Sequence, residues 1–361
     1  MTITLAATYP EIHSVWFLEP FEQVWLVRTN RGIFSFDSAS ENYNWFVPLP
    51  EERFFSFKPF VVVQDTLVFS SQKEDERRAR LYALDAHSGE ERWRRSLNWA
   101  QLSHLAGISA LGNELILLDW LGEPSGSVEL QRLDPLTGEL IGRLPAMRLN
   151  PTAIDVFGPK TSTTTSNNIY FCQRNEAVYQ FGGATEYDKL KTILSGQVQQ
   201  LASHGNQLFI HLWENGQNIV LKMDEESETV ERSELPLGEE DEVASLIALQ
   251  SAEDQPGVVI LFDGRKGLAL VDFAFPEWKW RLNDHRSQFD SAVWTPFGIA
   301  CIVNEKRGSD YLTEIRILDE ETGAVLEAVP LLSVDNWLSW QDGALLASTS
   351  SGLLRYKLSG I

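Results

Sequence analysis

Ten carboxylates and one arginine crowd the stretch from Asp224 to Glu242, "DEESETVERSELPLGEEDE", giving it a net charge of −9 out of −21 for the whole chain. Side chains of this type at this density serve two kinds of chemistry. A pair of them can move protons as general acid and base. An exposed run of them attracts a basic protein surface through its field. Asp224, Glu225 and Glu226 open the run and Glu239, Glu240, Asp241 and Glu242 close it. These seven are the candidate protein-binding residues; the plainer reading of the same run is a solvated edge.

Other residues that carry chemistry fall short of a motif. "GPKTST", from Gly158, looks like the tail of a phosphate-binding loop, but Ala153 stands where the first Gly is needed. Pro159 also interrupts it, and a phosphate cradle needs consecutive backbone N–H groups, which Pro lacks. "GISALG", from Gly107, lacks the Gly-x-Ser-x-Gly spacing of a nucleophile elbow. The six histidines, His13, His87, His104, His204, His211 and His285, show no zinc-binding spacing. Cys172 and Cys301 each sit in an apolar run and form neither a CxxC knuckle nor a disulfide framework, so two buried free thiols are expected. No catalytic residue, metal ligand or cofactor-binding residue can be assigned on this basis.

What must position these groups is a repeat. "RLYALDAHSGEERWRRSL" (Arg80 to Leu97) recurs as "VELQRLDPLTGELIGRLP" (Val128 to Pro145) and "EIRILDEETGAVLEAVP" (Glu314 to Pro330). Each copy is an alternating strand, then Leu-Asp, two residues, Ser or Thr, Gly, and a second strand. Asp bonds a backbone N–H two residues on and tightens the turn, and Gly supplies a positive φ. Weaker copies place aligned aspartates at Asp37, Asp224 and Asp272, so that the strong and weak turns recur at a period in the forties, with one double step around Gln180. Such a period indicates an array of blades or solenoid repeats. Apolar runs upstream of the turns, among them "QVWLVR", "NIYFCQ", "QLFIHLW" and "GIACIV", supply the remaining strands.

The pattern predicts an all-β chain, one domain over residues 1–361. Its architecture is an eight-bladed β-propeller of four-stranded antiparallel blades. The last unit, Val334 to Leu358, is short by one strand, and the N-terminal "TITLAA" is expected to supply it and close the ring. The polar segment Phe157 to Asn168 is expected as a long loop at one rim.

The hairpins at Leu84–Gly89, Leu133–Gly138 and Leu318–Gly323 resemble the repeats of PQQ-type propellers, and Trp93, four residues after Gly89, stands where those repeats carry a Trp that packs between blades. That family includes quinoprotein dehydrogenases and the propeller lipoprotein of the bacterial outer-membrane assembly machine. The resemblance implies the fold. The dehydrogenases hold their quinone beside adjacent cysteines, whereas Cys172 and Cys301 lie far apart, so no quinone cofactor is expected.

The acidic balance, 30 Lys and Arg against 51 Asp and Glu, repels nucleic acid and anionic membrane and favours a basic protein partner. No Lys or Arg precedes Arg28, so the basic start of a signal peptide is missing, and a cytoplasmic location is expected. The function expected is a non-enzymatic protein-binding propeller, in one version an inhibitor or immunity protein that neutralises a basic toxin. The competing readings are an enzyme with a carboxylate-lined site at a channel mouth and an envelope-assembly scaffold.

Overall fold

The computed structural model describes residues 1–12, 15–37, 43–49, 52–53, 60–73, 80–97, 107–120, 127–143, 147–148, 162–165, 168–173, 177–182, 191–227, 229–235, 243–250, 256–262, 267–272, 277–283, 286–308, 310–331, 338–341, 343–350 and 352–360. Every regular element among them is a β-strand, and they form eight separate antiparallel sheets. Seven of the sheets have four strands in sequential order, with one short extra strand on each of the second and third, and the eighth joins the first strand of the chain to the last three. The fold is an eight-bladed β-propeller. Among the described residues, no helix is long and apolar enough to cross a membrane.

The chain divides into two compact units. One comprises Met1–Pro48, Gly216–Lys222 and Glu231–Ile361; the other comprises Leu49–Asn215 and Met223–Val230.

In the first unit, the N-terminal strand Thr2–Tyr9 pairs antiparallel with Gly352–Ser359, next to Ala344–Thr349 and Leu338–Gln341. The last blade thus takes its fourth strand from the start of the chain, as the short final repeat predicts. The alternation of the sequence sets the faces: Ile3, Ala300, Ile302, Ile315, Leu345 and Tyr356 meet in one buried cluster.

In the second unit, the hairpin from Arg80–Asp85 to Glu91–Ser96 forms where the repeat places it. Its turn is tied by Asp85, whose Oδ1 accepts from the N–H groups of His87 (3.0 Å) and Ser88 (2.8 Å), while Gly89 N donates back to Asp85 O at 2.8 Å. Asp134 holds the third blade's turn in the same way, and Asp319 that of the seventh blade in the first unit. The aligned aspartates are therefore turn formers. Burial opposes ionisation of Asp85, but hydrogen bonds from Arg92, Ser88 and His87 outweigh it and hold the carboxyl at about 2.

The turns of the third and seventh blades also receive the preceding blade. The Trp93 ring lies against Gly138, and its Nε1 donates to Pro135 O at 2.8 Å. Trp280 repeats this in the first unit, lying against Gly323 and donating to Glu320 O at 2.7 Å. The position of Trp93 between blades is thus as expected, and a second copy exists that the weaker repeat around Asp272 had hidden.

The fourth blade departs from expectation. The segment expected as a rim loop contains the strand Ser162–Thr164, paired with Asn168–Gln173, and the reversal between them is closed by Thr165. Thr165 Oγ1 both donates to Asn168 O and accepts from Asn168 N. The physical reason is that Thr-x-x-Gly closes other reversals of this protein, at Thr29, Thr295 and Thr349, and Asn168 stands in the Gly place here. The rest of that segment, 157–161 and 166–167, lies outside the described residues.

Candidate functional site

Two surfaces carry concentrated polar chemistry. The first is the acidic turn of the fifth blade, between the strands Gln217–Asp224 and Val230–Glu234. The structure turns its carboxylates to internal use. Asp224 is the turn former: its Oδ1 accepts from Glu226 N (3.1 Å), Ser227 N (2.9 Å) and Ser227 Oγ (2.9 Å). These bonds, the Ser227 N–H foremost, hold the carboxyl below its usual range.

Glu225 reaches to the fourth blade, where its Oε1 accepts from Thr165 Oγ1 (2.5 Å), Asn168 Nδ2 (2.8 Å) and Tyr170 OH (2.5 Å). Tyr170 is fully buried, and burial followed by the adjacent Glu225 charge pushes its hydroxyl far above the usual range, so it remains a proton donor. Glu226 is exposed and accepts from Asn206 Nδ2. Glu239, Glu240, Asp241 and Glu242 lie outside the described residues. Of the seven candidate residues, the structure therefore brings Asp224, Glu225 and Glu226 together on one turn. It commits two of them to the framework.

The second surface was not singled out by the sequence reading. The seventh blade is built from Ser287–Thr295, Gly298–Arg307, Asp310–Leu318 and Val325–Leu331; its first three strands, of 9, 10 and 9 residues, are the longest among those described. The buried ends are apolar, with Ile299, Ala300, Cys301, Ile302 and Val303 fully covered, and the far ends are polar. The hairpin reverses at Gly308 (φ 67°) with Arg307 opposite Asp310 and Lys306 opposite Tyr311. Lys306 N donates to Arg286 O at 2.7 Å, which fastens the tip to the start of the inner strand.

Arg286, Glu305, Lys306, Arg307 and Gly308 line a cleft of about 520 Å³ at this tip. Glu305 is fixed between two guanidiniums, Arg307 Nε at 3.1 Å and Arg316 Nη2 at 2.7 Å. The Arg307 bond first, and Arg316 after it, hold the Glu305 carboxyl below its usual range. The ammonium of Lys306 has no ion-pair partner among the described residues. Tyr311 beside it is 67% exposed. The signal available in the sequence was "NEKRGSDY": an adjacent Lys-Arg pair before a Gly turn and a Tyr, in a strongly acidic chain. It was missed because its strand length, not its composition, sets it apart.

Of the other expected groups, His211 is buried on Gln207–Glu214 opposite Gln200, and His87 is exposed in a turn. Cys172 and Cys301 are both buried and neither forms a disulfide, as expected, and burial pushes the Cys301 thiol up to about 12.

No protein-family model matches the sequence, and no curated protein does. Solved structures share the fold. BamB from Moraxella catarrhalis, a PQQ-like eight-bladed propeller, is 14% identical, with a TM-score of 0.65 over 100% of this chain and 99% of that one. The computationally designed Ika8 protein is 12% identical, with a TM-score of 0.65 over 98% of both chains. The Dos1 propeller is 11% identical, with a TM-score of 0.65 over 99% of this chain and 96% of that one. At these identities the likeness is one of fold, and it agrees with the architecture expected from the Leu-Asp hairpins.

Proposed function

We propose that this protein is a non-enzymatic protein-binding propeller whose contact surface includes the tip of the seventh blade. The observation that carries the reading is that tip itself. A long hairpin presents Lys306, which has no ion-pair partner among the described residues, and the Arg307 guanidinium on a cleft, with the exposed Tyr311 opposite Lys306 in the ladder. Tyr and Arg are the residue types that dominate binding energy at protein interfaces, and strands position them more firmly than a loop would.

The net charge of −21 favours a partner whose surface is basic overall, drawn in by the long-range field before the tip engages. An inhibitor or immunity protein that neutralises a cationic toxin in the cytoplasm is the version of this reading that the charge favours. The experiment is affinity purification from the native cell, run in parallel with the wild type and with Tyr311→Ala and Lys306→Ala. A partner held by the wild type and released by the tip variants supports the reading. A partner held equally by all three moves the surface elsewhere.

A further inference from the structure

We propose that the acidic turn of the fifth blade is a binding site for a hard cation of the Ca²⁺ class, ligated by Glu225 Oε2 and by the side-chain amide oxygens of Asn168, Asn206 and Gln207. This is independent of the seventh-blade surface.

Each carboxylate of the turn is held by an amide. Gln207 Nε2 donates to Asp224 Oδ2 at 3.1 Å, Asn168 Nδ2 to Glu225 Oε1 at 2.8 Å, and Asn206 Nδ2 to Glu226 Oε1. Glu225 N also donates to Asn206 O at 3.1 Å, which brings the turn against the reversal after Val198–His204. All three amides thus spend their NH₂ groups on carboxylates and leave their carbonyl oxygens behind. Those oxygens, Asn168 Oδ1, Asn206 Oδ1 and Gln207 Oε1, are buried without a donor, and so is Glu225 Oε2. Asn168 itself is only 6% exposed.

Four orphaned acceptors around one turn are not satisfied by rearranging the side chains. Flipping an amide would only set its oxygen against a carboxylate. Nor does a protein cation answer them: among the described residues, none of Asp224, Glu225 and Glu226 pairs with a Lys, Arg or His. A buried acceptor left unmet costs about 1–3 kcal/mol, and a charged one more. A water molecule brings two donors, whereas a cation satisfies every oxygen it touches. Carboxylate and amide oxygens drawn from separate segments are the ligand set of Ca²⁺ rather than of zinc or copper. Mg²⁺ is disfavoured because it demands a regular octahedron. The sequence hides such a site, because its ligands are 38 residues apart at Asn168 and Asn206 and carry no Cys or His spacing.

The test uses the full chain dialysed against EDTA. Calcium chloride at 10 mM should raise the thermal midpoint by about 2 °C or more, and magnesium chloride should do less. Terbium should give emission on excitation at 280 nm, with Tyr170 as the sensitiser one carboxylate away, and calcium should displace it. Glu225→Gln should weaken both effects at least about 10-fold. Because that variant also loosens the Glu225 clasp, Asn168→Asp serves as the second arm. It sets a second carboxylate against Glu225 Oε1 in place of the amide donor, so it should lower the calcium-free midpoint and enlarge the rise that calcium produces. If the wild type shows neither a calcium-dependent midpoint nor displaceable terbium emission, the proposal fails and buried water meets these oxygens. It fails equally if both effects appear but Glu225→Gln and Asn168→Asp leave them unchanged, since calcium is then held by the acidic surface at large.

Discussion

Gly138 answers two demands at once, and a substitution series separates them. Its φ is +71°, which an L side chain adopts at a cost of about 1–2 kcal/mol. A Cβ placed there would also lie 2.7 Å from Trp93 Cδ2 and 2.8 Å from Cε3. The ring cannot swing away freely, because its Nε1 is tied to Pro135 O. Overpacking of this kind adds about 1–3 kcal/mol, so Gly138→Ala should cost about 2–5 kcal/mol in all. Gly112, in the same blade, is the control: its φ is +56° and nothing lies within 4 Å of its Cβ position. Gly112→Ala should pay the backbone cost alone. The decisive measurement is the double-mutant cycle with Trp93→Ala, read by urea unfolding followed by circular dichroism. With the indole gone, Gly138→Ala should fall to the Gly112→Ala value, a coupling of about 1–3 kcal/mol. If Gly138→Ala costs the same with and without Trp93, the inter-blade contact is energetically empty and the reasoning is refuted.

The remaining expectations concern chemistry that can be read more quickly. Burial and a thiol pushed up to about 12 should keep Cys301 from reacting with a disulfide reagent in the native protein, and buried Cys172 likewise; two thiols should appear in urea. Rapid native labelling of either would overturn their placement. The folded-state Asp85 value of about 2 lies below the ordinary carboxyl value of 3.8, so its turn contributes stability above about pH 4 and loses it as the pH falls toward 2. The difference in unfolding midpoint between wild type and Asp85→Asn should therefore be full at pH 6 and shrink over that window; a difference flat down to pH 2 would sink the linkage. If the partner is basic, replacing Glu239, Glu240, Asp241 and Glu242 with Ser should slow association and flatten its salt dependence while leaving dissociation nearly unchanged. An unaltered association rate removes this run from the binding surface.

The fold was legible because its rules are local. Leu-Asp-x-x-Ser/Thr-Gly writes a turn within six residues, the flanking alternation writes two strands, and their recurrence writes the blades. The missing strand of the last repeat could be assigned to Thr2–Tyr9 because an unpaired blade edge is costly. The sites were poorly legible because they depend on what meets in space. Glu225 reads as one acid among ten, and nothing in the sequence near it points to Thr165, Asn168 and Tyr170 of another blade. The one local trace was Asn168 standing where the other Thr-closed reversals carry Gly32, Gly298 and Gly352. The seventh-blade tip was hidden differently: strand length is a property of where pairing ends, and "NEKRGSDY" reads equally well as a loop.

The clasp at Glu225 also explains how the repeat tolerates its own weakest copy. In the third and seventh blades, the residue after the turn aspartate is the joint to the preceding blade: the carbonyls of Pro135 and Glu320 receive the indoles of Trp93 and Trp280. Those indoles sit eight residues after Asp85 and Asp272, on the outer strand of the preceding blade. The fourth blade has no turn aspartate and no such Trp, so the fifth blade finds no indole to receive. The same position after its own aspartate is Glu225, and there the side chain replaces the carbonyl as acceptor. It reaches past the outer strand to the inner reversal of the fourth blade and takes three donors in place of one. A joint made from an indole and a carbonyl is neutral and complete. A joint made from a carboxylate keeps a charge and a second oxygen, and that oxygen is the one left buried without a donor. The place where the repeat carries no such Trp is therefore the place where the framework keeps a buried carboxylate oxygen that the Trp93 and Trp280 joints do not have.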